Sequence, residues 1–331
     1  MVHIPAMAIE GTFKAFLLEK WNINHEAALA SARRPLKVKA EGVRQAILST
    51  AITDHPLYPI IEYVLSDMVE HGEAIDLLGK SRAGLLHVRH IEEAYTVSKF
   101  VLLDKDRYDE FAWRWTEFGT FHKIRNRILN LKQPLDPSMA KFLIENIDRM
   151  KKYFHKKFDI DPAKCLDQWG KLNNWMLGIT LKDVFERAGR EQSYTSAAYD
   201  WGSQAVHLSP LGDEYLSYEL DAMDSGDAAI ESARVWMNKM CHECAPIVVD
   251  QIALRDYYFR EVMIETYYLL VLKPSFYVKL AAKHEGHAAI TDALLRKPFN
   301  VEAIRSAAIG APPVDPYLFT FDASAAGQTQ G

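Results

Sequence analysis

Cysteine is scarce, three in 331 residues, too few to staple a chain of this length, so a disulfide-built secreted scaffold is excluded. Nothing near Met1 has the charged, apolar and small-residue order of a secretory signal, and a cytoplasmic location is expected. Long apolar runs are missing as well. The longest, Tyr267 to Leu272, lies between Glu265 and Lys273-Pro274, far short of the roughly 20 residues that cross a bilayer. Positive charge is not in excess: the formal net charge is −5, which excludes nucleic-acid binding by the overall field and leaves only a local patch. Alternating strand-like runs are nearly absent.

Several cofactor signatures are also absent. No histidine has a glutamate three places before it, which removes the pattern of a ferritin-like di-iron bundle. Cys241-His242-Glu243-Cys244 has only Cys165 as a further thiol, so no structural zinc is expected. Gly79-Lys80-Ser81 resembles the end of a phosphate loop, but Ala stands at 74 and no buried strand precedes it; it reads as a helix junction. Trp201-Gly202-Ser203-Gln204-Ala205 lacks both glycines of a nucleophile elbow. Neither a metal nor a cofactor is implied.

What is present is helical periodicity in a chain that is 49% apolar and 25% charged. Apolar residues recur at three- and four-residue intervals between Pro, Gly and Asp clusters, which predicts an all-α multi-helix bundle with additional N- and C-terminal helices. Helices are expected at about 9–31, 37–51, 57–79, 82–103, 107–130, 137–158, 163–188, 191–208, 226–250, 252–272 and 277–296. Proline at 35, 56, 134, 162 and 210 separates them, and Asp136-Pro137 reads as a cap followed by a first-turn proline. The segments are N-terminal helices over 1–56, a core domain over 57–225, a C-terminal extension over 226–321 and a flexible tail over 322–331.

Two groups of polar residues stand out. On a helix over 191–208, Tyr199, Ser203 and His207 climb one face beside an apolar stripe of Tyr194, Ala198, Trp201, Ala205 and Leu208. On the helix from Arg82, Val88, Ile91, Tyr95 and Leu102 form one apolar stripe and Leu86, Val97 and Phe100 a second. Arg89 and Glu93 fall one turn apart on the second stripe, which makes them a largely desolvated pair. The candidate catalytic set is therefore His207, Arg89, Glu93, Tyr199 and Ser203, with an imidazole to move a proton and a guanidinium to hold an anion. The basic run with Lys151, Lys152, Lys156 and Lys157 is the candidate RNA contact, and Lys123, Arg125 and Arg127 add a second basic stretch. The cluster of Tyr257, Tyr258, Phe259, Tyr267 and Tyr268 is more aromatic than one helix face needs, which suggests a homodimer.

Arg89 and Glu93, the Trp113 and Trp115 region, Trp169 and the row from Tyr199 to His207 ending in Ser209-Pro210 together resemble a bacterial family, domain of unknown function 5677, over about 60–220. The resemblance implies an all-helical bacterial protein without an established activity. The HEPN group of helical ribonuclease domains, whose active members carry Arg, four to six residues, then His, is a weaker comparison. Arg82 with His87 and Arg149 with His155 fit that spacing, but this composition yields about two such matches by chance.

Two functions are consistent with these features. One is an interaction or regulatory protein with a protein partner, acting in defence or stress. The other is a metal-independent ribonuclease or phosphoryl-transfer enzyme using His207 and Arg89.

Overall fold

The periodicity is realised as helix in a computed structural model, which describes residues 6–79, 81–153, 175, 179–191, 225–274, 277 and 292. Among the described residues the helices are α1 (Ala6–Trp21), α2 (His25–Ala32), α3 (Leu36–Leu48), α4 (Tyr58–Leu78), α5 (Arg82–Leu103), α6 (Tyr108–Arg125), α7 (Pro137–Tyr153), α8 (Leu181–Arg187), α9 (Ser225–Glu243) and α10 (Gln251–Leu272). Among the described residues the one β pairing is an antiparallel bridge, Ala51 with Val248. The protein is all-α, as expected. No described helix is long and apolar enough to cross a membrane.

Three expected helices end differently. The stretch 9–31 is two helices, because Asn22 takes the left-handed conformation (φ 54°) that asparagine tolerates, and Asn24 then caps α2 through Ala27 N–H at 2.9 Å. The stretch 163–188 does not run unbroken through Thr180. A capping box there, with Asp183 N–H donating to Thr180 Oγ1 and Thr180 N–H donating to Asp183 Oδ2, starts α8. The helix expected to 250 stops at Glu243, followed by a 3₁₀ turn holding Pro246 and then the bridge at Val248. At Gly79 (φ 57°) α4 closes and α5 begins at Arg82, so the Gly79-Lys80-Ser81 segment is a helix junction. Ser81 Oγ accepts from Gly84 N–H at 3.0 Å.

The chain divides into two compact units that are discontinuous in sequence. The first comprises 1–52, 64–95 and 195–331. Its described core is organised around α10, where every residue over 261–267 is buried, so that this stretch shows no one-sided apolar stripe. Phe16 and Trp21 of α1 pack edge-on or tilted against Phe259, at 5.6 and 5.2 Å between ring centroids. His25 Nδ1 of α2 is hydrogen-bonded to Tyr267 Oη. Tyr258, Phe259 and Tyr267 are thus buried inside this unit. Pro35 cannot cap α3, so Asp76 of α4 does: Leu36 and Lys37 N–H donate to its two oxygens at 2.8 and 2.9 Å. That close crossing needs Gly72, where a Cβ would sit 3.1 Å from the backbone of Leu36.

Buried charge joins α3, α9 and α10. Lys39 Nζ lies 3.3 Å from Glu261 Oε2 and 3.5 Å from Glu265 Oε2, with all three side chains at most 7% exposed. Glu231 continues the network to Arg234 Nε at 3.5 Å and Lys273 Nζ at 3.1 Å. Burial pushes the Glu265 carboxyl up to about 7; Glu231 adds to the rise, and Lys39 and Arg234 oppose it.

The second unit comprises 53–63 and 96–194. Its core is aromatic: Phe100 meets Phe111 at 5.4 Å and Trp113 meets Phe121 at 5.7 Å. Trp113 Nε1–H donates to Asn146 Oδ1 at 3.1 Å, tying α6 to α7. Glu110 is held between Arg107, at 2.8 Å, and Arg114. Arg190, just past α8, donates to Thr96 Oγ1 at 3.1 Å.

Candidate functional site

The helix α5 carries the periodic stripes into the first unit. Val88, Ile91 and Tyr95 are buried on one side, and Arg89 Nε donates to Glu93 Oε1 at 2.7 Å with each side chain only 20% exposed. His207, Tyr199 and Ser203 lie outside the described residues. Lys151 and Lys152 fall in the last turn of α7, and Lys156 and Lys157 lie outside the described residues.

Next to the pair, the structure assembles a group that the sequence reading did not. His71 of α4 meets both histidines of α5: its Nδ1 is 2.7 Å from His87 Nδ1, and its ring stacks on His90, 4.6 Å between centroids and 7° from parallel. Asp67, one turn before His71 on α4, places Oδ2 3.4 Å from His71 Nε2. His71 and His87 are half-buried and His90 is exposed, so solvent reaches the group. Each half had a sequence signal, Asp67-x-x-x-His71 and His87-x-x-His90 at helical spacing. The register of α4 against α5 that joins the halves had none.

The contacts fit one set of tautomers. With the Asp67 carboxylate beside Nε2, the His71 proton is favoured there. In that set His71 Nδ1 accepts, His87 donates Nδ1–H, and the lone pair of His87 lies on Nε2. Electrostatics support that state: burial, then His71 and His90, pull the His87 pKa below the ordinary imidazole value. His90 is lowered as well, by burial first, then His71, with Arg89 adding and Glu93 and Asp67 opposing. Near neutral pH these two imidazoles are bases. Among the described residues no group of three or more His, Cys, Asp or Glu side chains is arranged to hold a metal ion. Cys241 and Cys244 are buried thiols whose pKa values burial raises, which makes them unreactive.

No curated protein and no solved structure matches the chain. Residues 78–223, which include His87, Arg89, His90 and Glu93 but not Asp67 or His71, match the model of a family of unknown function (DUF5677), so the resemblance to that all-helical family holds over this segment.

Proposed function

We propose that the α4–α5 histidine group is a metal-independent acid–base site for phosphoryl transfer, with single-stranded RNA as its substrate and His87 in the role that the sequence alone suggested for His207. The observation that carries this reading is the run of contacts from Asp67 through His71 to His87, which favours one imidazole nitrogen as a proton acceptor. His87 Nε2 takes the proton of a ribose 2′-hydroxyl. The 2′-oxygen bonds to phosphorus as the bond to the 5′-oxygen breaks, and protonated His90 delivers a proton to that leaving oxygen. The products are a 2′,3′-cyclic phosphate and a 5′-hydroxyl. Arg89, held by Glu93, stabilises the charge gathered on the phosphorus oxygens.

A second reading, a cytoplasmic interaction or regulatory protein acting in bacterial defence or stress, is supported by the exposed aliphatic side chains of Ile52, Val249 and Ile252 around the bridge.

The test is turnover of single-stranded RNA by the purified chain in excess chelator. Cleavage to cyclic-phosphate ends is expected, with a bell-shaped pH profile. The base must be neutral and the acid protonated, and both pKa values are drawn below 6.5, so the maximum is expected on the acid side of that value. RNA left intact, or cleavage that the chelator abolishes, would overturn the enzyme reading; intact RNA together with a host protein retained on the immobilised chain would favour the second.

A further inference from the structure

The second unit holds an aromatic cluster that its core does not require. Trp115 of α6 stands edge to face against Trp175, 5.3 Å between centroids and at 90°. Tyr63 of α4 lies tilted on Trp115 at 5.0 Å. Trp175 also touches the buried Phe111, at 6.5 Å, so the cluster is anchored from beneath. Its outer side is open: Tyr63 is 56% exposed, and Trp115 and Trp175 are half-buried. Burying rings is what usually stabilises them, and a tyrosine left this far in water beside a fixed indole, with no further ring over it among the described residues, is a stacking surface.

Charge indicates what the partner is. Residues 53–63 and 96–194 carry 19 Lys and Arg against 16 Asp and Glu, in a chain whose net charge is −5. The excess is small, three cations, but its sign is opposite to that of the whole chain and is the sign a polyanion requires. On α6, Gly119 follows Trp115 by one turn, is exposed, and has no atom that an added Cβ would meet. Lys123, one turn further, is exposed, about 12 Å along the helix axis from Trp115 at 1.5 Å per residue. Lys132 is exposed beyond the π-helical turn Asn126–Asn130. Along α6 a ring platform, a bare stretch and an exposed cation follow one another, and Lys132 lies past the end of the helix.

We propose that this face binds single-stranded nucleic acid, with unpaired bases stacking on Tyr63 and Trp115 and the phosphates running toward Lys123 and Lys132. Stacking needs bases that are not already paired, and every base has a face to offer, so binding is selective for single strands and tolerant of sequence. The site does not depend on the histidine group, and it accepts DNA as well as RNA.

The test uses a short 5′-labelled oligothymidylate, which has no 2′-hydroxyl and so cannot be cut by the chemistry proposed for His87; binding and cleavage then fail separately. Fluorescence anisotropy of the full chain is expected to show binding that weakens with salt, accompanied by quenching of tryptophan emission. Trp115→Ala is expected to weaken binding about 5- to 160-fold, the range for a lost stacking partner, whereas Trp115→Phe stays within about threefold. Lys123→Gln should lower the salt slope by about 0.7. Tyr63→Ala removes a mostly exposed ring and serves if Trp115→Ala does not fold. Absence of binding, unchanged affinity in both ring variants, or equal affinity for a duplex of the same length would overturn the proposal.

Discussion

Replacing His87 by alanine is expected to lower RNA cleavage by about 10²- to 10⁴-fold, the contribution typical of a positioned general base. Its imidazole is the terminal member of the Asp67, His71, His87 sequence of contacts and the one whose Nε2 is left to accept a proton. The loss should fall on kcat with little change in KM, because the proton moves in the transition state and not on binding. Asp67→Asn acts one step back. It removes the charge that places the His71 proton on Nε2, so the base is mis-set but still present, and the expected loss is smaller than for His87→Ala. Circular dichroism and the melting temperature check that the half-buried position has not simply unfolded. Cleavage at the wild-type rate by a folded His87→Ala protein would remove His87 from the chemistry.

Lys39→Ala is expected to reduce unfolding free energy by about 3–5 kcal/mol, the usual cost of removing one member of a buried ion pair. Glu261 and Glu265 would be left facing each other's charge in a core where they are 7% and 0% exposed. The loss should also depend on pH with a definite sign. The Glu265 carboxyl titrates near 7 in the folded chain against an ordinary 4.5, so the native state binds its proton more tightly than the unfolded one. Stability therefore falls as pH rises from about 4.5 through about 7. Lys39 is the largest influence opposing that upward shift, so removing it raises the carboxyl further and widens the window. Urea unfolding should find the variant's deficit larger at pH 8 than at pH 5.5. A deficit under about 1 kcal/mol, or one equal at both pH values, would show that the network is not holding α3 against α10.

The helical class was legible because apolar spacing of three and four residues recurs along the chain; on α5 the stripe of Val88, Ile91, Tyr95 and Leu102 is buried as expected, whereas of the second stripe Phe100 is buried and Leu86 and Val97 are half-buried. Arg89 and Glu93 were legible for the same reason, since a contact four residues apart on one helix needs no knowledge of tertiary structure. Helix ends were less so. Thr180-x-x-Asp183 spells the start of α8, yet the surrounding apolar spacing runs through it; Asn22 stops α1 by a backbone conformation that periodicity does not register. The meeting of His71 with His87, and the union of residues 1–52 with α9 and α10, depend on which face of one helix packs on which face of another. No local pattern encodes that register. The apolar run near Tyr267 did carry a usable signal: a six-residue apolar run, too short for a membrane, belongs in a core, which is where that part of α10 lies.

The most direct measurement is long-range ¹H–¹⁵N correlation spectroscopy of the histidine side chains as a function of pH. His87 is expected in the Nδ1–H tautomer, with a titration midpoint below 6.5 and a perturbation when Asp67 is changed to Asn. An Nε2–H tautomer at His87, or a midpoint at or above 6.5, would contradict the assignment of this imidazole as the base.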